Sequence, residues 1–239
     1  MKKLLFVLAL FINVQLFAQK DVLVQDPAAV ERPLSASFNS VSVATGIELT
    51  ITQGNEEKLA ISVSDPKYLD RFVTKVENGE LKIYYDYNGV KWLFDKTKKL
   101  KAYLSVKSIS RLKASSGAKV KVINELTASE FSIDLSSGAR MDGTVKAVSL
   151  DVEVSSGAMV SLNGSSSSAD VKVSSGANFE GFDFSADNCT AKASSGASVE
   201  ITINRQLKGK ANSGGSIRYK GAVTQIDSES NSGGSVKKA

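Results

Sequence analysis

A four-residue turn recurs seven times through the second half of this 239-residue chain, and it constrains the fold more than any other feature. Ser-Ser-Gly-Ala stands at 115–118, 136–139, 155–158, 174–177 and 194–197, and Asn-Ser-Gly-Gly takes its place at 212–215 and 231–234. The glycines, Gly117, Gly138, Gly157, Gly176, Gly196, Gly214 and Gly233, are 21, 19, 19, 20, 18 and 19 residues apart. A period near twenty is the length of one coil of a β-solenoid, in which each coil buries its apolar face only by stacking on the next.

Aligning the copies on their glycines tests that architecture. Five residues before the glycine stand Leu112, Ile133, Val152, Val171, Ala191, Gly209 and Ser228. Three before stand Ala114, Leu135, Val154, Val173, Ala193, Ala211 and Ser230, and three after stand Val120, Met141, Val160, Phe179, Val199, Ile217 and Val236. These are the inward columns. Between the first two runs an outward column of charge: Lys113, Asp134, Glu153, Lys172, Lys192, Lys210 and Glu229. Alternation with a period of two is the signature of strands, and a Ser-Ser-Gly in every repeat would interrupt helices.

The repeated corner has a physical reason. Each coil must turn sharply at the same place, glycine takes a positive φ there without steric cost, and alanine fits inside the bend. Serines stacked about 4.8 Å apart are expected to bond to one another or to neighbouring backbone along the column. A polysaccharide-binding or ice-like serine face is the functional alternative to this structural role. From the fifth copy onward the inward columns shrink towards Ala, Gly and Ser, so the C-terminal end is expected to be looser. Lys237 and Lys238 charge the open sheet edge there and discourage end-to-end pairing.

Composition narrows the chemistry. With no histidine, the chain has no Ser-His-Asp or Cys-His nucleophile system, no histidine metal site and no histidine pH switch. A single cysteine, Cys189, excludes a disulfide within the chain and a thiolate cluster, and it reads as a small buried hydrophobe. No cofactor or metal is expected. Residues 1–18 carry Lys2 and Lys3, an apolar run and an Ala18 before Gln19, the three-part form of a secretory signal. Loss of both lysines takes the formal net charge from +5 to +3, a poor match for nucleic acid. The apolar run is too short to span a bilayer and no later segment is long enough, so export to periplasm, outer-membrane surface or medium is expected, with no membrane span after cleavage.

The first half is less regular. Residues 19–33 read as a linker or extended arm, 34–110 as an irregular solenoid half with larger coils, and 111–239 as the regular half. Strands are expected at 38–43, 46–52, 59–63, 72–76, 81–85 and 102–106, with one helical turn at 65–70. Asn78-Gly79 is either a hairpin turn or a coil corner. Phe38-Asn39-Ser40-Val41, Thr45-Gly46-Ile47-Glu48-Leu49, Val76-Glu77-Asn78-Gly79-Glu80-Leu81-Lys82-Ile83 and the reiterated Ser-Ser-Gly-Ala together resemble the family described as putative autotransporter adhesin, head GIN domain, common in Bacteroidetes envelopes. The resemblance runs from about Leu34 to the C-terminus. It implies an all-β fold, a single-stranded right-handed parallel β-helix, and no catalytic residues. The chain departs from the family label in carrying no translocator barrel.

One stretch breaks the strand alternation. It contains Tyr85, Tyr87, Lys91, Trp92, Phe94, Lys96, Lys98 and Lys99, with the chain's only tryptophan. An aromatic loop can stack on sugar rings while lysines hold acidic groups, and this makes it the candidate ligand site. The simpler account is that Trp92, Leu93 and Phe94 plug one end or flank of the solenoid with the lysines solvated. Asp134 with Glu153, and Glu180 with Glu200, fall on adjacent coils, where paired carboxylates can bind Ca²⁺ or share a proton. Lys113 and Lys172 flank the first pair, so a charge ladder is the simpler account. The expected function is a non-enzymatic adhesin-like module binding glycan or an envelope protein. A polysaccharide-degrading β-helix enzyme and a ligand-free spacer are the alternatives.

Overall fold

The computed structural model describes residues 26–87 and 98–239. Its strands are β1 (Val30–Arg32), β2 (Ser40–Val43), β3 (Glu48–Gln53), β4 (Lys58–Val63), β5 (Phe72–Glu77), β6 (Glu80–Tyr85), β7 (Leu100–Val106), β8 (Arg111–Ala114), β9 (Lys119–Leu135), β10 (Arg140–Val154), β11 (Met159–Val173), β12 (Asn178–Ala193), β13 (Ser198–Ala211), β14 (Ser216–Lys220), β15 (Gln225–Ser230) and β16 (Ser235–Lys238). From β8 onward every pairing is parallel, one coil on the next, giving a β-solenoid of about seven turns. The long strands β9 to β13 run from one serine corner to the next and bend on the way, where paired outward residues such as Val148 and Ser149 interrupt the alternation.

The registered columns are the true ones. Leu112, Ile133, Val152, Val171, Ala191 and Gly209 are successive cross-strand partners, and all six are buried. The outward charges, Lys113 through Lys210 to Glu229, are successive cross-strand partners too, and none of them is buried. Burial fails only in the last copy, where Ser228 and Ser230 are exposed.

At each corner the chain makes a β-turn with two left-handed residues. Ser116 has φ 51° and Gly117 φ 73°, and the Ala118 N–H donates to the Ser115 carbonyl at 3.1 Å. The Gly117 N–H then donates to the Ser137 carbonyl of the next coil at 3.0 Å, a bond repeated from Gly138 to Ser156 and onward to Ser232. Corners are therefore tied by backbone bonds from glycine N–H to serine carbonyl, where the sequence had suggested serine side chains bonding to one another or to neighbouring backbone. The glycine N–H of each turn points along the stack, and the serine before it, Ser116 at the first corner, is exposed.

The first half is simpler than expected in one respect and more complex in another. Strands β2 and β3 form a single regular coil whose corner is Ala44-Thr45-Gly46-Ile47, with Thr45 at φ 60° and Gly46 at φ 73°. Its Gly46 N–H donates to the Ser116 carbonyl at 3.0 Å, in the same pattern as the serine corners. Strands β6 and β7 stack on β2 and β3 from the outer side. The coil later in sequence thus lies outside the earlier one.

A lid of antiparallel strands closes that end. Strand β5 pairs with β6, β4 with β7, and β1 with β4. Asn78 (φ 52°) and Gly79 (φ 74°) form the β5–β6 hairpin turn, so this is not a coil corner and larger irregular coils do not form here. Between β4 and β5 the expected helical turn is a 3-10 turn, Pro66–Arg71, capped by the Asp65 carboxylate, which accepts from the Lys67 N–H at 3.0 Å. The lid buries Tyr68, Phe72 and Tyr85 over the outermost coil, whereas the C-terminal coil leaves Ile226 half exposed.

Candidate functional site

Of the eight candidate residues, Lys91, Trp92, Phe94 and Lys96 lie outside the described residues. The other four stand where the 86–99 segment leaves and rejoins the coil. Tyr85 is buried, and its ring meets Tyr68 and Tyr87 edge-on at 6.3 and 5.1 Å. Lys98 Nζ lies 3.8 Å from the centroid of Tyr85 and 4.3 Å from that of Tyr87, and donates to the Tyr87 hydroxyl at 3.0 Å. Burial raises the Tyr85 phenol above its ordinary value, so it stays neutral beside the ammonium. Lys99 is exposed, and its N–H donates to the Ser64 hydroxyl at 3.1 Å. These contacts fasten the feet of the segment, and the Tyr85 faces are taken by protein neighbours.

A concavity lies elsewhere. A recess of about 560 Å³ is lined by Ser40, Glu80, Arg111, Ser132 and Asp151, with Glu77, Lys82 and Lys113 on its rim. A second, of about 290 Å³, continues it along the coils and shares Ser149 and Asp151 with it. Their common floor is one outward column, Glu80, Ser40, Arg111, Ser132, Asp151, Asp170, Thr190 and Lys208, each the cross-strand partner of the next. Eight strands at the usual spacing make a trough about 34 Å long. Solenoid regularity is what aligns these side chains, because a side chain one coil on points the same way.

Several charges in and beside the trough are paired. Glu77 accepts from Lys75 at 2.8 Å and Lys82 at 2.9 Å, which holds its carboxyl down to about 2, the opposite of what a general acid requires. Glu80 pairs with Lys113 at 2.9 Å. Lys172 gathers Glu153 at 3.4 Å, Asp170 at 3.5 Å and Asp151 at 3.7 Å. Asp134 and Glu153 are direct cross-strand partners, with Lys113 and Lys172 on either side. Glu180 and Glu200 are likewise adjacent, and Arg218 Nη1 bonds Glu200 at 2.8 Å. Among the described residues no three acidic, cysteine or histidine side chains come together to hold a metal ion. Cys189 is buried, and burial pushes its thiol up to about 12.

What the trough offers is a row of hydroxyls, amides and paired charges repeating once per coil. Its signal was present in the sequence as the columns six and eight residues before each corner glycine, but the column that stood out by its charge was the one four before.

No curated protein matches this sequence. Several solved structures share its fold. A putative adhesin from Bacteroides fragilis NCTC 9343 superposes with a TM-score of 0.79 at 17% identity, over 90% of this chain and 98% of that one. A putative adhesin from Parabacteroides merdae ATCC 43184 gives 0.65 at 17% identity, over 90% and 97%. A putative lipid binding protein from Parabacteroides distasonis ATCC 8503 gives 0.62 at 17% identity, over 88% and 96%. With the solenoid, its lid and its corner series in place, the match of residues 37–222 to the family described as putative auto-transporter adhesin, head GIN domain, assigns the chain to that family.

Proposed function

We propose that this protein is an exported, non-enzymatic adhesin-like module that holds an extended glycan in the trough. The observation that carries this reading is the continuity of the two recesses through Ser149 and Asp151, which makes one polar channel of a length suited to several sugar rings. A polymer with hydroxyls at regular intervals meets donors and acceptors repeated at every coil. Side chains already fixed by the ladder lose little conformational freedom on binding. Family membership and the signal-like residues 1–18 support a position outside the cytoplasm. The mutual pairing of the carboxylates supports binding without cleavage.

The test is a polysaccharide array probed with wild type, Asp151→Arg and Trp92→Ala. Binding lost in Asp151→Arg and kept in Trp92→Ala places the ligand in the trough. Binding lost only in Trp92→Ala moves it to the aromatic segment, and no binding by wild type reduces the protein to a spacer. Shortened chains after incubation with acidic polysaccharide and Ca²⁺ would make it an enzyme.

A further inference from the structure

A third concavity, of about 400 Å³, lies on the other side of the bend at Val148 and Ser149 and shares no residue with the trough. Its wall holds Ser166, which is 7% exposed and whose hydroxyl has no hydrogen-bond partner. Buried hydroxyls are ordinarily bonded, so an unbonded one calls for an explanation. Coil geometry does not supply it. The cross-strand partners of Ser166 are Ala147 and Ala186, so alanine is the residue this inward column uses on either side. The hydroxyl is an addition that the packing of the column does not require.

Other groups of the recess have one chemistry in common. Asp187 and Asn204 face each other from adjacent coils, the Asn204 amide donating to the Asp187 carboxylate at 3.3 Å. A carboxylate beside an amide can take two neighbouring hydroxyls, one as acceptor and one as both donor and acceptor. Val148, 61% exposed, and Ala147 supply an apolar patch against which the C–H face of a sugar ring can lie. Lys146 balances Asp187, so neither an acidic nor a basic ligand is preferred. The bend itself is braced from the next coil: the Ser168 hydroxyl donates to the Val148 carbonyl and the Asn188 amide to the Ser167 carbonyl, each at 3.4 Å.

We propose that this recess is a separate subsite for a single neutral sugar ring, in which Ser166 finds its missing partner in a ligand hydroxyl. The proposal takes its ligand class from the glycan reading above but not its location. The experiment titrates glucose, galactose, mannose and N-acetylglucosamine into isotopically labelled wild type, Ser166→Ala, Asp187→Ala and Asp151→Arg, following amide shifts.

At least one sugar is expected to shift residues 165–167 and 187 saturably, with affinity roughly fivefold weaker in Ser166→Ala and lost in Asp187→Ala. Ser166→Ala recreates the neighbouring residue of the column, so its denaturation midpoint is expected to stay level or rise, which separates loss of a ligand contact from loss of fold. Asp151→Arg is expected to keep the monosaccharide response even where it loses polysaccharide. Shifts confined to the trough, unchanged affinity in Ser166→Ala and Asp187→Ala, or no response to any of the four sugars would overturn the subsite and leave the trough standing or falling by its own array.

Discussion

The Tyr103 hydroxyl donates a 2.6 Å hydrogen bond to the Asp26 carboxylate and so ties the N-terminal arm across β4 to β7. That bond is the largest influence on Asp26, lowering its pKa below the ordinary 3.8, and burial together with the same bond raises the Tyr103 phenol. A carboxyl with a depressed folded-state pKa contributes stability that is fully present above its unfolded value and lost as pH falls through the folded one. Tyr103→Phe is therefore expected to weaken the docking of β1 by about 1 kcal/mol at neutral pH. Amide exchange at Val30–Arg32 should be severalfold faster in the variant at pH 7. The difference should vanish below the folded pKa of Asp26, where the wild-type carboxyl is protonated too. Equal exchange at pH 7 would mean that the β1–β4 ladder alone holds the arm.

The corners combine a residue suited to its φ with one that is not. Gly157 stands at φ 69° with nothing within 4 Å of an added Cβ, while Ser156 stands at φ 53°. Gly157→Ala is expected to cost about 1 kcal/mol through backbone strain alone. Ser156→Asn is expected to add a few tenths of a kcal/mol, because asparagine tolerates the left-handed region better than serine. Urea midpoints of the two variants should move in opposite directions. Should Ser156→Asn destabilise instead, the exposed hydroxyl has a role in the corner that its backbone bonds do not reveal.

How far the sequence could be read depended on repetition. Seven copies allowed the inward columns to be aligned without coordinates, and Phe179, Val199 and Ile217 fall where that alignment put them. Thr45-Gly46 makes the same corner, but with threonine and with Ile47 in the alanine position it has no second copy to register against. Strands β6 and β7 alternate as coil strands do, and that β4 covers β7 and β1 covers β4 is decided by partners distant in sequence, which alternation does not encode. The trough was hidden for a related reason: it is a relation between coils, and Glu80 belongs to it only because β6 stacks outside β2.

Gly164 is a different case from the corner glycines. It has φ 114°, and a Cβ there would lie 2.1 Å from the Val145 carbonyl oxygen of the preceding coil. No side-chain adjustment relieves a clash with backbone. Gly164→Ala is therefore expected to cost about 3 kcal/mol or more, several times the cost of Gly157→Ala, and to displace the β10–β11 ladder locally. Thermal melts of the two variants test this, and equal midpoints would show that the coils slide past one another more freely than their register implies.

The two ends of the solenoid should differ in stability. At the first, the antiparallel lid covers the outermost coil; at the last, every residue of β15 is exposed. The final corners also sit closer to the preceding coil, since a Cβ on Gly215 or Gly234 would lie 2.3 Å from the carbonyl oxygen of Ala193 or Ala211. Small inward residues such as Gly209 leave less apolar surface to bury per coil, and a stack stabilised by nearest neighbours frays from its weaker end. Amides of β15 and β16 are expected to exchange about tenfold faster than those of β10 and β11. Removing residues 223–239 should cost about 1 kcal/mol of global stability, whereas Leu135→Ala, at a fully buried position, should cost about 3 kcal/mol. Protection of β15 equal to that of β10, with a large loss on truncation, would mean that the C-terminal coil closes the stack as firmly as the lid does.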